Sequence, residues 1–245
     1  MNDPIKDFNK ECEERVKANG VNPALQQAAA QFNTESNRAQ YSYNFSWMGR
    51  PIIQYPQDMV IMQELIWQIK PDLIIETGIA HGGSLIYYAS ILELIGHGQV
   101  LGIDIDIREH NKREIENHPM FKRIDMIQGS SISNETAERV RIFANGKKKI
   151  IVCLDSNHTH EHVLMELNLY APLVSVESYI IVFDTIVEYL PEGYFSQQRP
   201  WGISNNPKTA VNEFLKGSDR FEIDRSIDNK RLISVAPGGY LKRIK

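Results

Sequence analysis

From residue 57 onward, the apolar positions of the chain alternate between two spacings. Short, mainly apolar runs, typical of buried strands, occur at 73–75, 100–105, 124–127, 149–154 and 179–183. Between these runs the apolar residues recur three or four positions apart, as on one face of a helix, at 84–95, 108–117, 134–144 and 160–169. Apolar strands separated by amphipathic helices indicate a mainly parallel sheet that is covered on both faces. The pattern therefore predicts a doubly wound α/β domain.

The N-terminal residues have helical periodicity but few large apolar side chains. We expect one or two helices there, covering the main domain or a neighbouring subunit. The amphipathic character of this region favours a homo-oligomer. The predicted organisation is an N-terminal helical extension over residues 1–45, followed by one α/β domain over residues 46–245.

Four further segments complete the predicted elements. Helical spacing marks 57–68 and 208–216, and two apolar segments near the C-terminus, 221–224 and 232–235, are expected to pair as closing strands. The aromatic, proline-punctuated residues 44–56 predict an ordered loop.

A second loop is predicted over residues 189–207, which are rich in aromatic residues, proline and glycine. A loop of this length is either a lid over a substrate or a packed surface flap. Its aromatic side chains Tyr194, Phe195 and Trp201 are candidates for stacking on a sugar or another ring.

Composition narrows the classes of partner. The formal net charge is −4, so no overall positive field attracts nucleic acid. No apolar stretch approaches the ~20 residues of a membrane helix, and we expect no membrane insertion. Cys12 and Cys153 form neither a disulfide framework nor a zinc-binding spacing, which fits a reducing cytoplasm.

A glycine-bearing turn with an acid follows the first predicted strand of the sheet, Glu76-Thr77-Gly78-Ile79-Ala80-His81-Gly82-Gly83-Ser84. Ligands of open α/β sheets bind at the carboxyl ends of strands, and glycines let the backbone approach them closely. The spacing differs from G-x-G-x-x-G, and Glu76 would repel a pyrophosphate. S-adenosylmethionine (SAM) instead carries an ammonium and a sulfonium group, which suit a carboxylate. A structural helix-entry turn with a capped acid is the alternative.

The next two strands add candidate contacts for the same ligand. Asp104 ends the second strand about 26 residues after Gly78, near the ~20 residues usual for an acid that binds ribose hydroxyls. The turn at Gly129 and Ser130, after the third strand, is placed to face an adenine. The residues predicted to contact SAM are Glu76, Gly78, His81, Gly82, Ser84, Asp104, Ile105, Gly129, Ser130 and Asp155.

Two acids, Asp155 and Asp184, end the fourth and fifth strands. Neighbouring carboxylates repel each other unless a cation lies between them, and a hard divalent ion, magnesium before zinc, is the expected occupant. Three histidines follow at alternate positions, an awkward spacing for one zinc ion on a helix. His158 is nearest to the strand end and is the candidate general base. Helix capping or a surface position is the alternative for each histidine.

Several short motifs lie between about Trp47 and Leu215. They are Trp47-Met48-Gly49, Gln54-x-Pro56-x-Asp58, Gly102-Ile103-Asp104-Ile105-Asp106, Leu154-Asp155-Ser156-x-His158-x-x-x-His162-Val163 and Tyr170-Ala171-Pro172-Leu173-Val174. Together with the glycine turn, they resemble the cephalosporin hydroxylase / rhamnosyl O-methyltransferase family. The resemblance implies a Rossmann-like class I methyltransferase fold, with a mainly parallel seven-stranded sheet and helices on both faces.

The resemblance also implies O-methylation of a hydroxyl on a sugar, a sugar-bearing natural product or a surface glycan, with SAM and Mg²⁺. It implies a magnesium site at Asp155 and Asp184. Related enzymes usually have a further acid or amide beside the second aspartate, where this chain has Phe183 and Thr185. Thr185, Glu188 or water are the candidates for the remaining ligand.

Two other classes of function remain alternatives. One branch of the family carries the name hydroxylase, which suggests an oxygenase as an alternative function. An oxygenase needs an iron site of two histidines and one carboxylate. The histidines near Asp155 allow that site, whereas the glycine turn does not serve it. A non-catalytic SAM-binding partner of another enzyme is the third class.

Overall fold

The computed structural model describes residues 3–194 and 199–245, and its centre is a sheet of seven strands. Two helices, α1 (Pro4–Gly20) and α2 (Pro23–Arg38), precede a small antiparallel hairpin of β1 (Phe45–Trp47) and β2 (Arg50–Ile52). The other helices, α3 to α9, are Pro56–Ile69, Gly83–Ile95, Glu109–Glu116, Asn134–Ala144, His160–Tyr170, Pro207–Lys216 and Arg225–Arg231. The strands β3 to β9 are Leu73–Thr77, Gln99–Asp104, Ile124–Gln128, Ile150–Leu154, Tyr179–Val182, Phe221–Ile223 and Tyr240–Arg243.

The strand order of the large sheet is β5-β4-β3-β6-β7-β9-β8. Strands β3 to β7 are parallel, and β9 runs antiparallel to both β7 and β8. The predicted mainly parallel, seven-stranded sheet is confirmed. After β3 the chain builds outward through β4 and β5, then returns to the other side of β3 with β6. That reversal places a crevice at the carboxyl ends of β3 and β6, where open α/β sheets bind ligands.

The sheet divides the apolar core into two layers. On one face, Ile74 belongs to a cluster with residues of α3 and α4, such as Ile66 and Leu92. On the other face, Ile75 belongs to a cluster with residues of α6, α7 and α8, such as Leu167. Helices therefore cover both faces, as the unbroken apolar strands predict. Within residues 3–194 and 199–245, no helix is both long and apolar enough to cross a membrane.

Residues 44–56 differ from the ordered loop that the sequence predicts. Most of them form the hairpin of β1 and β2, whose tip is Met48 and Gly49 with φ of 46° and 86°. Two successive residues with positive φ make the tight turn that suits a two-residue hairpin. Met48 obscures this turn in the sequence, because only the glycine is a turn signal.

The predicted closing strand at 232–235 is also wrong, since β8 pairs with β9 (Tyr240–Arg243) and helix α9 lies between them. The backbone of 232–235 is used for a different contact. The Val235 N–H and the Ser234 hydroxyl donate to the Asp58 carboxylate at 3.0 Å and 2.8 Å. A buried acid therefore replaces the strand partner that this apolar segment was expected to have.

An ion pair between Asp58 of α3 and Arg231 of α9 is buried in this region. The two side chains are 0% and 1% exposed and lie 2.5 Å apart. Burial raises the pKa of Asp58, while Arg231 and the donors from the 232–236 segment oppose that rise. Arg231 also contacts Asp228 at 2.8 Å and lies 4.4 Å from the Tyr240 ring centroid. The pair thus holds two helices and the segment at Val235, which lines the large cleft described below.

Helix α2 is joined to the rest of the fold by polar contacts. The Ser36 hydroxyl lies 2.6 Å from the Tyr55 hydroxyl, and the Ser234 N–H donates to the Asn33 side chain at 3.3 Å. Helix α1 has no buried residue. Helix α1 nevertheless packs beside α9, with Gly20 against the Asn229 side chain, so both N-terminal helices contact the rest of the fold.

Replacing Arg231 with methionine should lower the free energy of unfolding by about 3–5 kcal/mol, because Asp58 would be left buried without its charge partner. Urea denaturation of the two proteins measures the difference. Arg225→Met is the matched control, since the Arg225 side chain is 66% exposed and its loss should cost less than about 0.5 kcal/mol. The double variant Asp58→Leu/Arg231→Met should recover part of the loss; equal effects of the two arginine variants would contradict this account of the buried pair.

Candidate active site

The glycine turn between β3 and α4 touches two other parts of the backbone. Gly78 has a φ of 92°, and a Cβ atom there would lie 2.0 Å from the carbonyl oxygen of Asp155. A Cβ atom on Gly83 would lie equally close, at 2.0 Å, to the carbonyl oxygen of Pro51. Only glycine allows these approaches. The turn is therefore packed directly between the end of β6 and the β1–β2 hairpin.

The outer carbonyls of the turn are held by two residues that the sequence analysis missed. Arg50 donates to the His81 carbonyl at 3.0 Å and 2.6 Å, and to the Asn111 side chain at 3.0 Å. Asn111 in turn donates to the Ala80 carbonyl at 2.9 Å. These contacts fix the backbone of His81, which was predicted as a SAM contact. In the sequence, Arg50 follows Gly49 in an aromatic segment, and nothing in that position indicates a contact with the glycine turn.

Glu76 is fully buried at the end of β3. One carboxyl oxygen accepts a hydrogen bond from the Ser84 hydroxyl at 2.6 Å, and the other has no partner among the described residues. Burial raises the pKa of Glu76 to about 8, although the Ser84 bond acts in the opposite direction. The acid is therefore mostly protonated at neutral pH, rather than the fixed negative charge that the sequence suggests. A ligand that brings a positive charge would favour the ionised form.

Asp104 shapes the turn as well as facing the crevice. One of its carboxylate oxygens accepts from the backbone N–H groups of Ile79 at 2.8 Å and Ala80 at 3.4 Å. The Gly129 N–H donates to the Asp104 carbonyl at 2.8 Å. The side chain of Ile105 is exposed, and Ser130 is partly exposed. The structure thus brings the predicted ribose and adenine contacts together at the ends of β4 and β5.

Asp155, His158 and Asp184 form a cluster on the other side of Gly78. Each offers one ligand atom, and these atoms all lie within 4.8 Å of one another. His158 Nε2 lies 3.1 Å from an Asp184 oxygen. Burial first, and then the neighbouring Asp184, raises the pKa of Asp155 well above its usual value. Two crowded carboxylates and an imidazole suit a divalent cation, which would relieve this repulsion.

Backbone strain marks the position of Asp184. Its φ is 53°, in the left-handed region that aspartate tolerates better than most residues. Residues in such conformations persist where the surrounding structure fixes them, and they are frequent in functional sites. The conformation places Asp184 beside His158, whereas the preceding Phe183 is 1% exposed in the apolar core.

The structure does not bring the other proposed metal ligands to the cluster. The Thr185 hydroxyl is buried and donates to the Pro237 carbonyl at 2.9 Å. Glu188 accepts from the Ser204 N–H at 2.9 Å. The Thr185 hydroxyl and the Glu188 carboxylate therefore bond to loops rather than facing Asp155. His158, predicted as the general base, lies where the third ligand was expected.

The remaining histidines of the 158–162 motif have separate partners. His160 contacts Thr209 at 2.8 Å and Glu213 at 3.2 Å, which connects α7 to α8. His162 lies 3.1 Å from the Ser131 hydroxyl and 3.2 Å from the Ser156 hydroxyl. The three histidines therefore do not converge on one zinc site, in line with their unfavourable spacing. Among the described residues, the group that could hold a metal ion has one histidine and two carboxylates, not the two histidines of an oxygenase iron site.

A cleft of about 430 Å³ joins the glycine turn to the acid cluster. Gly78, Ser84 and the three residues of the cluster line its inner wall. Its outer wall comes from the end of α2 and from the loop after Leu190. The residues of that outer wall are Asn37, Gln40, Ser42, Tyr43, Tyr194, Arg199 and Trp201.

Aromatic contacts close one end of the cleft. The Trp201 ring meets the His158 ring edge to face at 4.8 Å, and the Arg199 guanidinium lies 4.9 Å from the Trp201 centroid. Tyr194 lines the same wall, whereas Phe195 lies outside the described residues. Of the candidate stacking residues, Trp201 thus lies beside the acid cluster and Tyr194 lines the same cleft.

Comparisons with known proteins show the family to which the chain belongs. The Rhamnosyl O-methyltransferase/CmcI family matches residues 39–244. The Rhamnosyl O-methyltransferase of Mycobacterium tuberculosis is 30% identical over 201 residues, which cover 81% of this chain and 78% of that protein. The protein of the same name from Mycobacterium leprae is 31% identical over 142 residues, which cover 57% of this chain and 60% of that protein.

Solved structures share the fold. CmcI described with Mg and SAM has a TM-score of 0.58 and 20% identity, covering 83% of this chain and 78% of that one. CmcI described with SAH has a TM-score of 0.54 and 18% identity, covering 81% of each chain. With the glycine turn and the sheet order, these matches identify the chain as a member of the Rhamnosyl O-methyltransferase/CmcI family and as a class I, SAM-dependent O-methyltransferase.

Proposed function

We propose that the protein transfers a methyl group to a hydroxyl of a sugar, a sugar-bearing natural product or a surface glycan, in a magnesium-dependent reaction. The observation that carries this proposal is the position of the Asp155–His158–Asp184 cluster, on the same cleft wall as Gly78 and Ser84. A cofactor on the glycine turn and an acceptor at the acid cluster would therefore meet in one cleft.

SAM is proposed to bind along the carboxyl ends of β3, β4 and β5. The methionine end would lie at Glu76 and Ser84, because the unpaired carboxyl oxygen of Glu76 suits an ammonium group. The ribose would lie at Asp104 and Ile105. The adenine would lie against the turn of Gly129 and Ser130.

The metal is proposed to be held by Asp155 and Asp184. When bound, SAM supplies an electrophilic methyl group, and Mg²⁺ supplies positive charge that favours an ionised acceptor hydroxyl. The chain's own part is to hold the two reactants next to each other, and positioning of this kind supplies much of an enzyme's rate acceleration. Trp201 and the loop around it would exclude water from the acceptor oxygen.

His158 is proposed as the group that removes the acceptor's proton. Its Nε2 faces Asp184 at 3.1 Å, so Asp184 orients the ring and Nδ1 is left to accept the proton. The Asp184 carboxylate would then stabilise the imidazolium. A second role is favoured by the same geometry, since His158 lies close enough to both aspartates to act as the third metal ligand.

The outer wall of the cleft suits a carbohydrate. Asn37, Gln40 and Ser42 offer uncharged hydrogen-bonding groups to hydroxyls, and Trp201 offers an aromatic face to the CH groups of a sugar ring. The name Rhamnosyl O-methyltransferase, carried by the mycobacterial relatives, supports a sugar acceptor.

A panel of acceptors tests the proposed reaction. The protein is incubated with SAM, Mg²⁺ and rhamnosides, other glycosides or catechol, and released S-adenosylhomocysteine and the methylated product are measured by mass spectrometry. We expect O-methylation of a glycoside that stops with EDTA and falls at least about 100-fold in Asp155→Asn, through loss of several kcal/mol of charge stabilisation. Asp219→Asn, an exposed acid paired with Lys245, should keep full activity. Methylation of catechol alone, or undiminished turnover in EDTA, would refute the proposal.

Replacing His158 with glutamine separates its two roles. As a general base, His158 should contribute a factor of about 10²–10⁴ in kcat, with the Mg²⁺ concentration for half-maximal rate unchanged. Steady-state kinetics over a range of Mg²⁺ concentrations measures both values. A higher Mg²⁺ requirement, with kcat recovering at saturating metal, would assign His158 to the metal instead. His97→Gln, on an exposed loop, is the control and should match the unsubstituted protein.

The affinity for S-adenosylhomocysteine, which keeps the ammonium group, should rise between about pH 6 and pH 8. The pKa of ligand-free Glu76 is about 8, so below that pH the side chain is mostly protonated. Binding of the ammonium group requires the ionised carboxylate, and the protein therefore releases a proton when it binds the ligand. The gain is at most about tenfold per pH unit. Calorimetric titration measures it. Glu76→Gln imitates the neutral acid and should bind more weakly, with no such pH dependence; the same slope in this variant would assign the proton to another group.

A further inference from the structure

Three buried polar side chains behind the glycine turn have atoms without a hydrogen-bond partner among residues 3–194 and 199–245. These atoms are both amide atoms of Gln54, one Glu76 oxygen and the Tyr88 hydroxyl. The residues are 2%, 0% and 0% exposed. Each belongs to a different part of the chain: the segment after β2, the end of β3, and α4.

These groups lie together rather than scattered. Ser84 and Tyr88 are one helical turn apart on α4, and the Ser84 hydroxyl donates to Glu76 at 2.6 Å. Glu76 and Gln54 both act on the pKa of Tyr88, which burial raises well above its usual value. Gln54, Glu76, Ser84 and Tyr88 are therefore called the amide–acid cluster below.

Such a cluster is unfavourable without a ligand. A buried polar group without a partner costs about 1–3 kcal/mol, and most buried polar groups in folded proteins are paired. The amide–acid cluster has four unpaired atoms in one place. Two of its members, Gln54 and Ser84, line the cleft. A ligand in the cleft therefore adjoins the cluster, whose unpaired atoms are buried just behind the cleft wall.

The chemistry of the unpaired atoms indicates which ligand group they suit. Glu76 offers an acceptor that becomes anionic beside a cation, and Gln54 offers an amide N–H donor that suits an anion. An α-amino acid group carries both an ammonium and a carboxylate. No lysine or arginine lines the described part of the cleft on this side; the cation there, Arg199, belongs to the opposite loop.

We propose that Gln54 is a specificity-determining residue for the amino-acid end of SAM, with its amide donating to the α-carboxylate while Glu76 accepts from the α-ammonium. Tyr88 lies between the two and positions the Gln54 amide. The proposal rests on the placement of SAM along the glycine turn under the proposed function. It assigns a role to the Gln54-x-Pro56-x-Asp58 motif, of which Asp58 already belongs to the buried ion pair.

Calorimetric titration with S-adenosylhomocysteine and with 5′-methylthioadenosine tests the proposal, since the second compound lacks the amino-acid group. Gln54→Leu should weaken binding of S-adenosylhomocysteine about 10- to 100-fold, the value of one buried hydrogen bond to a charged group, and leave 5′-methylthioadenosine unchanged. Gln54→Glu should weaken S-adenosylhomocysteine binding further, because it would place a carboxylate beside the ligand's own. Gln63→Leu, on the exposed side of α3, is the control and should bind both compounds normally.

Other outcomes would overturn the proposal. Tighter binding by Gln54→Glu would mean that Gln54 faces the ammonium, and equal losses for both compounds in Gln54→Leu would mean that Gln54 only supports the turn. If Gln54→Leu binds both compounds normally but has a raised KM for the acceptor, Gln54 would instead contact the acceptor. If both its binding and its kinetics are unaltered, the partner of Gln54 would be a buried water molecule. If the unsubstituted protein binds neither compound, the proposed SAM placement itself fails, which separates the two hypotheses.

Discussion

The crowding of carboxyl groups at one edge of the sheet is the constraint on which the site depends. Asp155 is partly buried and lies close enough to Asp184, Glu76 and Glu166 for all three to raise its pKa. The strand order makes this crowding unavoidable, because β3 and β6 are adjacent and both end at the crevice. Without added positive charge, the acids must hold protons or repel one another. A cationic cofactor and a divalent metal are therefore complementary to the fold itself, not only to individual residues.

Local sequence patterns were sufficient for the parallel strands β3 to β7 and for most helices, because consecutive buried strands leave unbroken apolar runs. The glycine turn was also recognisable, since Gly78 and Gly83 are required by approaches that no other residue permits. Asp155 and Asp184 were identified by their positions at the ends of predicted strands, and the topology brings them together. The sequence pattern could not predict the protonation state of Glu76. A glutamate is expected to be ionised at neutral pH, yet burial raises the pKa of Glu76 to about 8.

The missed features all depend on contacts between distant parts of the chain. Arg50 and Asn111 hold the outside of the glycine turn from 31 residues away on either side of it. The segment at 232–235 has the apolar spacing of a strand but pairs with Asp58, which lies 177 residues from Val235. Thr185 stands next to Asp184 in sequence, yet its hydroxyl donates to the Pro237 carbonyl. Adjacency in sequence does not fix the direction of a side chain once φ becomes positive, as it does at Asp184.

The end of α2 supplies part of the wall that faces the acid cluster, through Asn37 and the adjoining Gln40. The family match begins only at residue 39, so this wall straddles the boundary of the shared region. Part of the surface beside the acid cluster thus lies outside the region that the family shares, while Asp155, Asp184 and the glycine turn lie inside it. Substitution of Asn37 therefore changes the cleft without touching the acids or the turn.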